Sequence, residues 1–215
     1  MEFLPHEIER YAERYTSQEP ALLHELNRFT HRNVLQPRML AGHLQGRVIA
    51  MLSHMIRPKR ILEVGTYTGY SALCWAEGLT EEGIIDTIEI DDELQPKIQS
   101  FFDRSPYKDR IRLHIGPAKE VIDQLEGEFD LVYLDADKTN YPSYLEQVLD
   151  RVPIGGYIIA DNVLWSGKVT EPVEQMDDDT KALWKYAELV HNDKRLMHVL
   201  FPIRDGLLIA KKINA

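Results

Sequence analysis

Two aspartates in similar settings carry the most chemistry in this chain. They lie in Leu134-Asp135-Ala136-Asp137-Lys138-Thr139-Asn140-Tyr141 and Ala160-Asp161-Asn162-Val163-Leu164-Trp165. Each follows a short apolar run, and the two are 26 residues apart, room for one helix plus one strand. Neighbouring parallel strands would bring both carboxylates and the Asn162 amide to their C-terminal ends, where open α/β sheets bind ligands. Three hard oxygen donors without His or Cys suit Mg²⁺, Ca²⁺ or Mn²⁺ better than zinc. The competing reading is that each Asp caps a helix or turn. Lys138 is a candidate base only if a cation or desolvation lowers its ordinary pKa of ~10.4. Without that help it is a salt-bridge partner for Asp137.

A second cluster is Glu63-Val64-Gly65-Thr66-Tyr67-Thr68-Gly69-Tyr70-Ser71. Glycines at a strand-to-helix turn let backbone approach a ligand. The order is Gly-x-x-x-Gly, and Tyr67 stands where a dinucleotide fingerprint has its middle glycine, against the pyrophosphate. A phosphate-free nucleoside fits better, unless the glycines serve the turn alone. Glu89 follows Gly65 by 24 residues, the place from which such folds bind ribose hydroxyls. Asp91, Asp92 and Glu93 are expected to cap the next helix.

The elements that must position these groups follow from periodicity. Residues 5–33 read as two helices broken at Ser17-Gln18-Glu19-Pro20, with apolar positions Ile8, Tyr11, Tyr15, Leu22, Leu23, Leu26 and Phe29. A third helix is expected over Gly42–Ile56, with Leu44, Val48, Met51, Leu52 and Met55 on one face. From Arg60, apolar runs recur about every 20 to 30 residues, which favours parallel βαβ units. The tail reads as a hairpin, Leu196–Phe201 and Leu207–Lys211, around Pro202-Ile203-Arg204-Asp205-Gly206.

Composition bounds the rest. The 215 residues are 44% hydrophobic, enough for a substantial core, and carry a net charge of −10, which disfavours a reader of nucleic-acid backbone. One cysteine, Cys74, excludes an internal disulfide and a Cys-rich metal site, and it is expected to be a packed thiol in a reducing compartment. The start Met1-Glu2-Phe3-Leu4-Pro5-His6-Glu7 lacks the basic and apolar stretches of a secretory signal, and no segment approaches the ~18 apolar residues of a membrane span. A soluble, cytoplasmic, single domain over 1–215 is expected, with a helical extension at 1–57 and a core at 58–215.

Taken together, Ile61-Leu62-Glu63-Val64-Gly65-Thr66-Tyr67-Thr68-Gly69-Tyr70-Ser71, the Asp135–Tyr141 segment and Asp161-Asn162-Val163-Leu164-Trp165 resemble the cation-dependent O-methyltransferases, which include caffeoyl-CoA and catechol O-methyltransferases and bacterial relatives. The resemblance runs from about residue 39 to the C-terminus. It implies an α/β, Rossmann-like S-adenosylmethionine-dependent methyltransferase fold, a mostly parallel seven-stranded sheet with a reversed last strand, and a homodimer. By position it assigns Glu63, Gly65, Thr66 and Ser71 to the methionine end of S-adenosylmethionine, Glu89 to its ribose and Ala118 to its adenine, with Asp137 beside it. Asp135, Asp161 and Asn162 would hold a divalent cation, Mg²⁺ first and Mn²⁺ or Ca²⁺ next, and Lys138 would act on the acceptor with Asp135. Tyr67, Trp165, Ser166, Arg204 and Asp205 would border a small aromatic acceptor with two adjacent hydroxyls. Departures are Pro117 where relatives carry Asp, Arg204 where a small residue is common, and Ser166 where plant members carry Asn. A transfer RNA 5-hydroxyuridine methyltransferase and a non-catalytic nucleoside-binding protein are the alternatives.

Overall fold

The computed structural model describes residues 5–215; Met1–Leu4, part of the start that lacks the marks of a secretory signal, lie outside them. The helices are α1 (His6–Arg14), α2 (Ala21–Asn33), α3 (Gly42–Ile56), α4 (Tyr70–Ala76), α5 (Gln95–Arg104), α6 (Ala118–Gln124), α7 (Tyr141–Val148) and α8 (Asp178–Asn192). The strands are β1 (Arg60–Val64), β2 (Ile84–Glu89), β3 (Ile111–Ile115), β4 (Leu131–Leu134), β5 (Tyr157–Asp161), β6 (Leu196–Phe201) and β7 (Leu207–Lys212). They follow the order β3-β2-β1-β4-β5-β7-β6. The residues group into two compact units, one of Ile61–Gly65 with Ala118–Ala215, the other of the chain up to Arg60 with Thr66–Pro117.

In the first unit, β4 pairs in parallel with β1 and β5, while β7 runs antiparallel to both β5 and β6. All four residues of β4 are buried, as a strand covered on both faces requires. Register decides where the chemistry falls. Leu134 pairs with both Val64 and Ala160, and Asp161 pairs with Leu207, so Gly65, Asp135, Asp161 and the β6–β7 turn leave the sheet at one end. Behind β4, Tyr141 of α7 meets the Tyr186 ring of α8 edge-on at 5.5 Å. The α8 helix begins on an acidic run, Asp177 accepting the Thr180 N–H at 2.8 Å. The tail hairpin forms, with β7 one residue longer than expected.

In the second unit, β2 and β3 pair in parallel and α3 lies against α4. Helix α3 has the expected bounds, and the row it buries is not its apolar row. Gln45, Gly46, Ile49, Ala50 and Ser53 are its buried residues, whereas Met51 and Met55 are 61% and 74% exposed. The reason is close approach: a Cβ on Gly46 would sit 2.6 Å from the Tyr70 ring, and Ser53 donates its hydroxyl to the Trp75 carbonyl at 2.6 Å. Small residues, Gly46, Ala50 and Ser53, share the buried face with Ile49 and Gln45. Helix α1 forms where the spacing places it, with none of its residues buried and Ile8 and Tyr11 exposed. Cys74 is buried, as a packed thiol should be. Asp91 caps the turn after β2 by accepting the Glu93 N–H at 3.0 Å.

Candidate active site

At the C-terminal ends of β4 and β5, the first unit gathers Asp135, Lys138 and Asp161. Lys138 lies on a 3-10 turn, Lys138–Asn140, and is 7% exposed. Its Nζ donates to Asp135 Oδ1 at 3.1 Å and to the Tyr141 hydroxyl at 2.8 Å. It pairs with Asp135 and not with Asp137, the alternative the sequence leaves open. Asp137 instead accepts the Tyr144 hydroxyl at 2.6 Å and the Asn140 amide, which organises the turn carrying Lys138. Asp161 is buried; Oδ1 accepts the Asn162 N–H at 2.7 Å and Oδ2 accepts the Tyr133 hydroxyl at 2.9 Å. Burial and the negative charge of Asp135 push the Asp161 carboxyl up to about 6, against the pull of Lys138 and these two hydrogen bonds. Burial, with the charges of Asp161 and Asp135, keeps the Tyr133 and Tyr141 phenols protonated well beyond their usual range.

Two loops border this cluster. Asn162, Trp165 and Ser166 have φ of 59°, 45° and 55°, and Arg204 has φ 50°. With Tyr67 at 52°, five of the seven non-glycine residues in the left-handed region, among the described residues, are site candidates by sequence. Such conformations cost free energy and persist where surrounding contacts enforce them. The enforcing contacts are visible: Leu164 N–H donates to the Asp205 carbonyl at 2.9 Å, and Ser166 N–H donates to the Asp205 carboxylate at 2.6 Å. Leu164 and Ser166, on either side of Trp165, are thus joined to Asp205. Lys138 Nζ stands 5.9 Å from the Trp165 ring centroid. Gly65 is committed by φ +102° and by space, since a Cβ there would lie 2.0 Å from the Asp135 carbonyl oxygen. Glu63 is fully buried, and Ala118 begins α6.

The second unit holds a separate acidic cradle. Glu89, at the end of β2, accepts backbone N–H groups from Tyr67 at 2.6 Å, Ile90 at 3.0 Å and Asp91 at 2.9 Å. Burial outweighs these bonds and raises its pKa. Both polar groups of Thr66 are engaged internally, its N–H donating to the Ile88 carbonyl and its hydroxyl sharing a hydrogen bond with the Thr87 hydroxyl at 2.6 Å. Tyr67 extends away, its hydroxyl donating to the Leu35 carbonyl at 3.0 Å. Ser71 is buried on α4.

An O-methyltransferase family model matches residues 13–213 of this chain. The chain belongs to the O-methyltransferase family. A caffeoyl-CoA O-methyltransferase of Stellaria longipes is 30% identical over 180 residues, 79% of this chain and 75% of that protein. A probable caffeoyl-CoA O-methyltransferase 2 of Dictyostelium discoideum is 30% identical over 212 residues, 96% and 92% of the two chains. Among solved structures, the SAH-bound methyltransferase PaMTH1 of Podospora anserina superposes with TM-score 0.89 at 29% identity, covering 100% of both chains. The seven-stranded mixed sheet with its reversed C-terminal strand is the methyltransferase fold of this family, and the protein is an O-methyltransferase enzyme, not a non-catalytic binding module.

Two tyrosines of this O-methyltransferase matter more than the sequence indicates. By pattern Tyr133 is only an apolar strand residue and Tyr141 only part of a motif, yet their hydroxyls hold Asp161 and Lys138. For Tyr141 a signal exists: it follows Lys138 by three residues, the spacing that brings side chains together on a helical turn. For Tyr133 there is none, because the partner lies on the neighbouring strand.

Proposed function

We propose that this O-methyltransferase moves the sulfonium methyl of S-adenosylmethionine to one of two adjacent hydroxyls on a small aromatic acceptor, with a divalent cation. The observation that carries the reading is the Asp135–Asp161 pair: two acids at one site, one of them buried and pushed up to about 6 by burial and by its neighbour. The Lys138 amine pairs with only one of the two acids, and a divalent cation would supply the remaining positive charge. The donor set we assign is the two carboxylates with the Asn162 amide, from the residue next to Asp161. All are oxygen donors, which fits Mg²⁺ first and Mn²⁺ or Ca²⁺ next.

S-adenosylmethionine supplies an electrophilic methyl, and a divalent cation lowers the pKa of a hydroxyl whose ordinary value, for a phenol, is ~10. The chain's own groups do the rest. The proton of the Tyr141 hydroxyl is directed to backbone carbonyls of Leu134 and Asp161, at 3.0 and 3.1 Å, so Lys138 is the donor in their contact. Lys138 would stabilise negative charge developing on the acceptor oxygen, which would lose its proton to water and take the methyl in line as the methyl–sulfur bond breaks and S-adenosylhomocysteine leaves. Trp165, Ser166, Arg204 and Asp205 shape the acceptor side. Tyr67 retains its assignment to the acceptor from sequence, as do Glu63, Gly65, Thr66, Ser71, Ala118 and Asp137 to the cofactor. For Glu89 the ribose assignment is supported by a carboxylate already oriented by three N–H groups.

The two units alternate along the chain at 60/61, 65/66 and 117/118, so neither is one continuous stretch, which supports one methyltransferase domain. A homodimer is supported by the apolar exposure of β6, where Met197 is 58% and Val199 is 45% exposed. No helix among the described residues is long and apolar enough to cross a membrane; with the buried lone thiol this supports a cytoplasmic setting. Methyl transfer from labelled cofactor to catechols, caffeoyl esters and hydroxylated transfer RNA, with and without chelator, tests the whole reading. Catechol turnover abolished by chelator and restored by Mg²⁺ is expected. Turnover indifferent to chelator would overturn the cation role, and transfer to RNA alone would replace the acceptor.

A further inference from the structure

The reacting end of Lys138 is a flexible four-carbon chain with a rotating head, and catalysis by such a group depends on what holds it. We propose that Tyr141 is the positioning residue for Lys138, fixing the direction in which its ammonium points. Tyr141 is fully buried at the start of α7. Its hydroxyl touches Lys138 Nζ at 2.8 Å and lies 3.0 and 3.1 Å from the carbonyl oxygens of Leu134 and Asp161. Those two carbonyls end β4 and β5, so the phenolic proton is committed to the sheet and a lone pair must face Lys138. The ring sits under the same ammonium, 4.9 Å from Nζ to its centroid, and is itself held edge-on by Tyr186. Of the three N–H donors on the ammonium, Tyr141 takes one and Asp135 a second, leaving one for a bound acceptor. Asp135 alone cannot define that direction, because its side chain is only partly buried while the tyrosine is anchored at hydroxyl and ring. The role is indirect: Tyr141 touches Lys138, and Lys138 acts on the acceptor.

This inference rests on the reading that Lys138 acts on the acceptor oxygen. The test is Y141F, which keeps the buried ring and removes the hydroxyl, measured alongside K138A and the double variant in the intact protein. Expected for Y141F is a kcat lower by about tenfold or more, with acceptor KM and cofactor affinity within about twofold of the parent protein. In the K138A background the same substitution should change kcat little, because the two residues act as a unit. A readout independent of turnover is the NMR signal of ¹³Cε-labelled lysine. A held Lys138 shows two inequivalent ε-protons, which should merge in Y141F, whereas a merely structural tyrosine leaves them distinct. Normal kcat in Y141F with an impaired K138A overturns the tyrosine role alone. An undiminished K138A overturns the lysine reading and the tyrosine role with it. Equal losses from Y141F with and without Lys138, or equivalent ε-protons already in the parent protein, also overturn the proposal.

Discussion

Asp86 and Asp161 are both strand carboxylates hidden from water, 1% and 3% exposed, and their surroundings are opposite. In its own unit, Asp86 accepts two N–H groups of Arg60 at 3.1 and 3.0 Å and faces His114 at 2.9 Å. Burial alone would raise its pKa, but the hydrogen bonds and charges of His114 and Arg60 prevail and hold it below the usual carboxylate range. Asp161, in the other unit, accepts a phenol and a backbone N–H, and the charge that raises its pKa belongs to another acid. A buried acid supplied with cations serves the fold. A buried acid set beside a second acid costs stability, and such pairs cluster at functional sites.

Four experiments put that contrast at risk. The largest effect is expected on the unbalanced side: K138A should lower methyl transfer about 100- to 1000-fold, the range for losing one charge-stabilising donor, measured with labelled cofactor. Next is the pH dependence of stability without cation. The folded-state pKa of Asp161 is raised, so its protonated form favours the fold, and stability should decline as pH rises from ~4 through about 6. About 2 to 3 kcal/mol is at stake at 1.4 kcal/mol per pH unit. Denaturant melts in chelator should show this decline, and D161N should remove it.

Asp86 should behave with the opposite sign. Its folded-state pKa is depressed, so its contribution is present above ~4 and is lost as pH falls through the lowered value. Because Arg60 is 23% exposed, D86N should cost only about 1 to 2 kcal/mol at neutral pH, a fall of roughly 3 to 6 °C in Tm. That deficit should shrink below pH ~4, and similar pH profiles for D86N and D161N would erase the distinction. The smallest effect is expected from D205A, which removes the carboxylate that accepts the Ser166 N–H. Acceptor KM should rise a few-fold with cofactor affinity unchanged, by roughly 1 kcal/mol for one partly exposed bond.

Much of the site is legible in the amino-acid order because its residues sit at strand ends. Apolar runs locate β4 and β5, and whatever polar residue follows such a run must emerge at the ligand-binding end of a parallel sheet. Asp135, Asp161, Asn162, Gly65 and Glu89 all obey that rule. The face of α3 does not yield to pattern, because Gly46 and Ser53 pack where the backbone of one helix approaches the next, and hydrophobic periodicity does not register small residues. The balance around Asp86 is equally hidden, since Arg60 and His114 reach it from 26 and 28 residues away.

The order of residues dictates the kind of machine: alternating β and α segments, a glycine turn too tight for a side chain, and acids at strand ends whose order and spacing match the O-methyltransferase family. Those properties are local or depend on spacing along one chain. Which partner each charge received is a matter of packing in three dimensions. Lys138 took Asp135 and Tyr141 in place of Asp137, Tyr133 took Asp161, and the 162–166 loop took Asp205. Hydrogen bonds reach about 3 Å, so strand register and helix packing, not separation along the chain, set which groups fall within that distance.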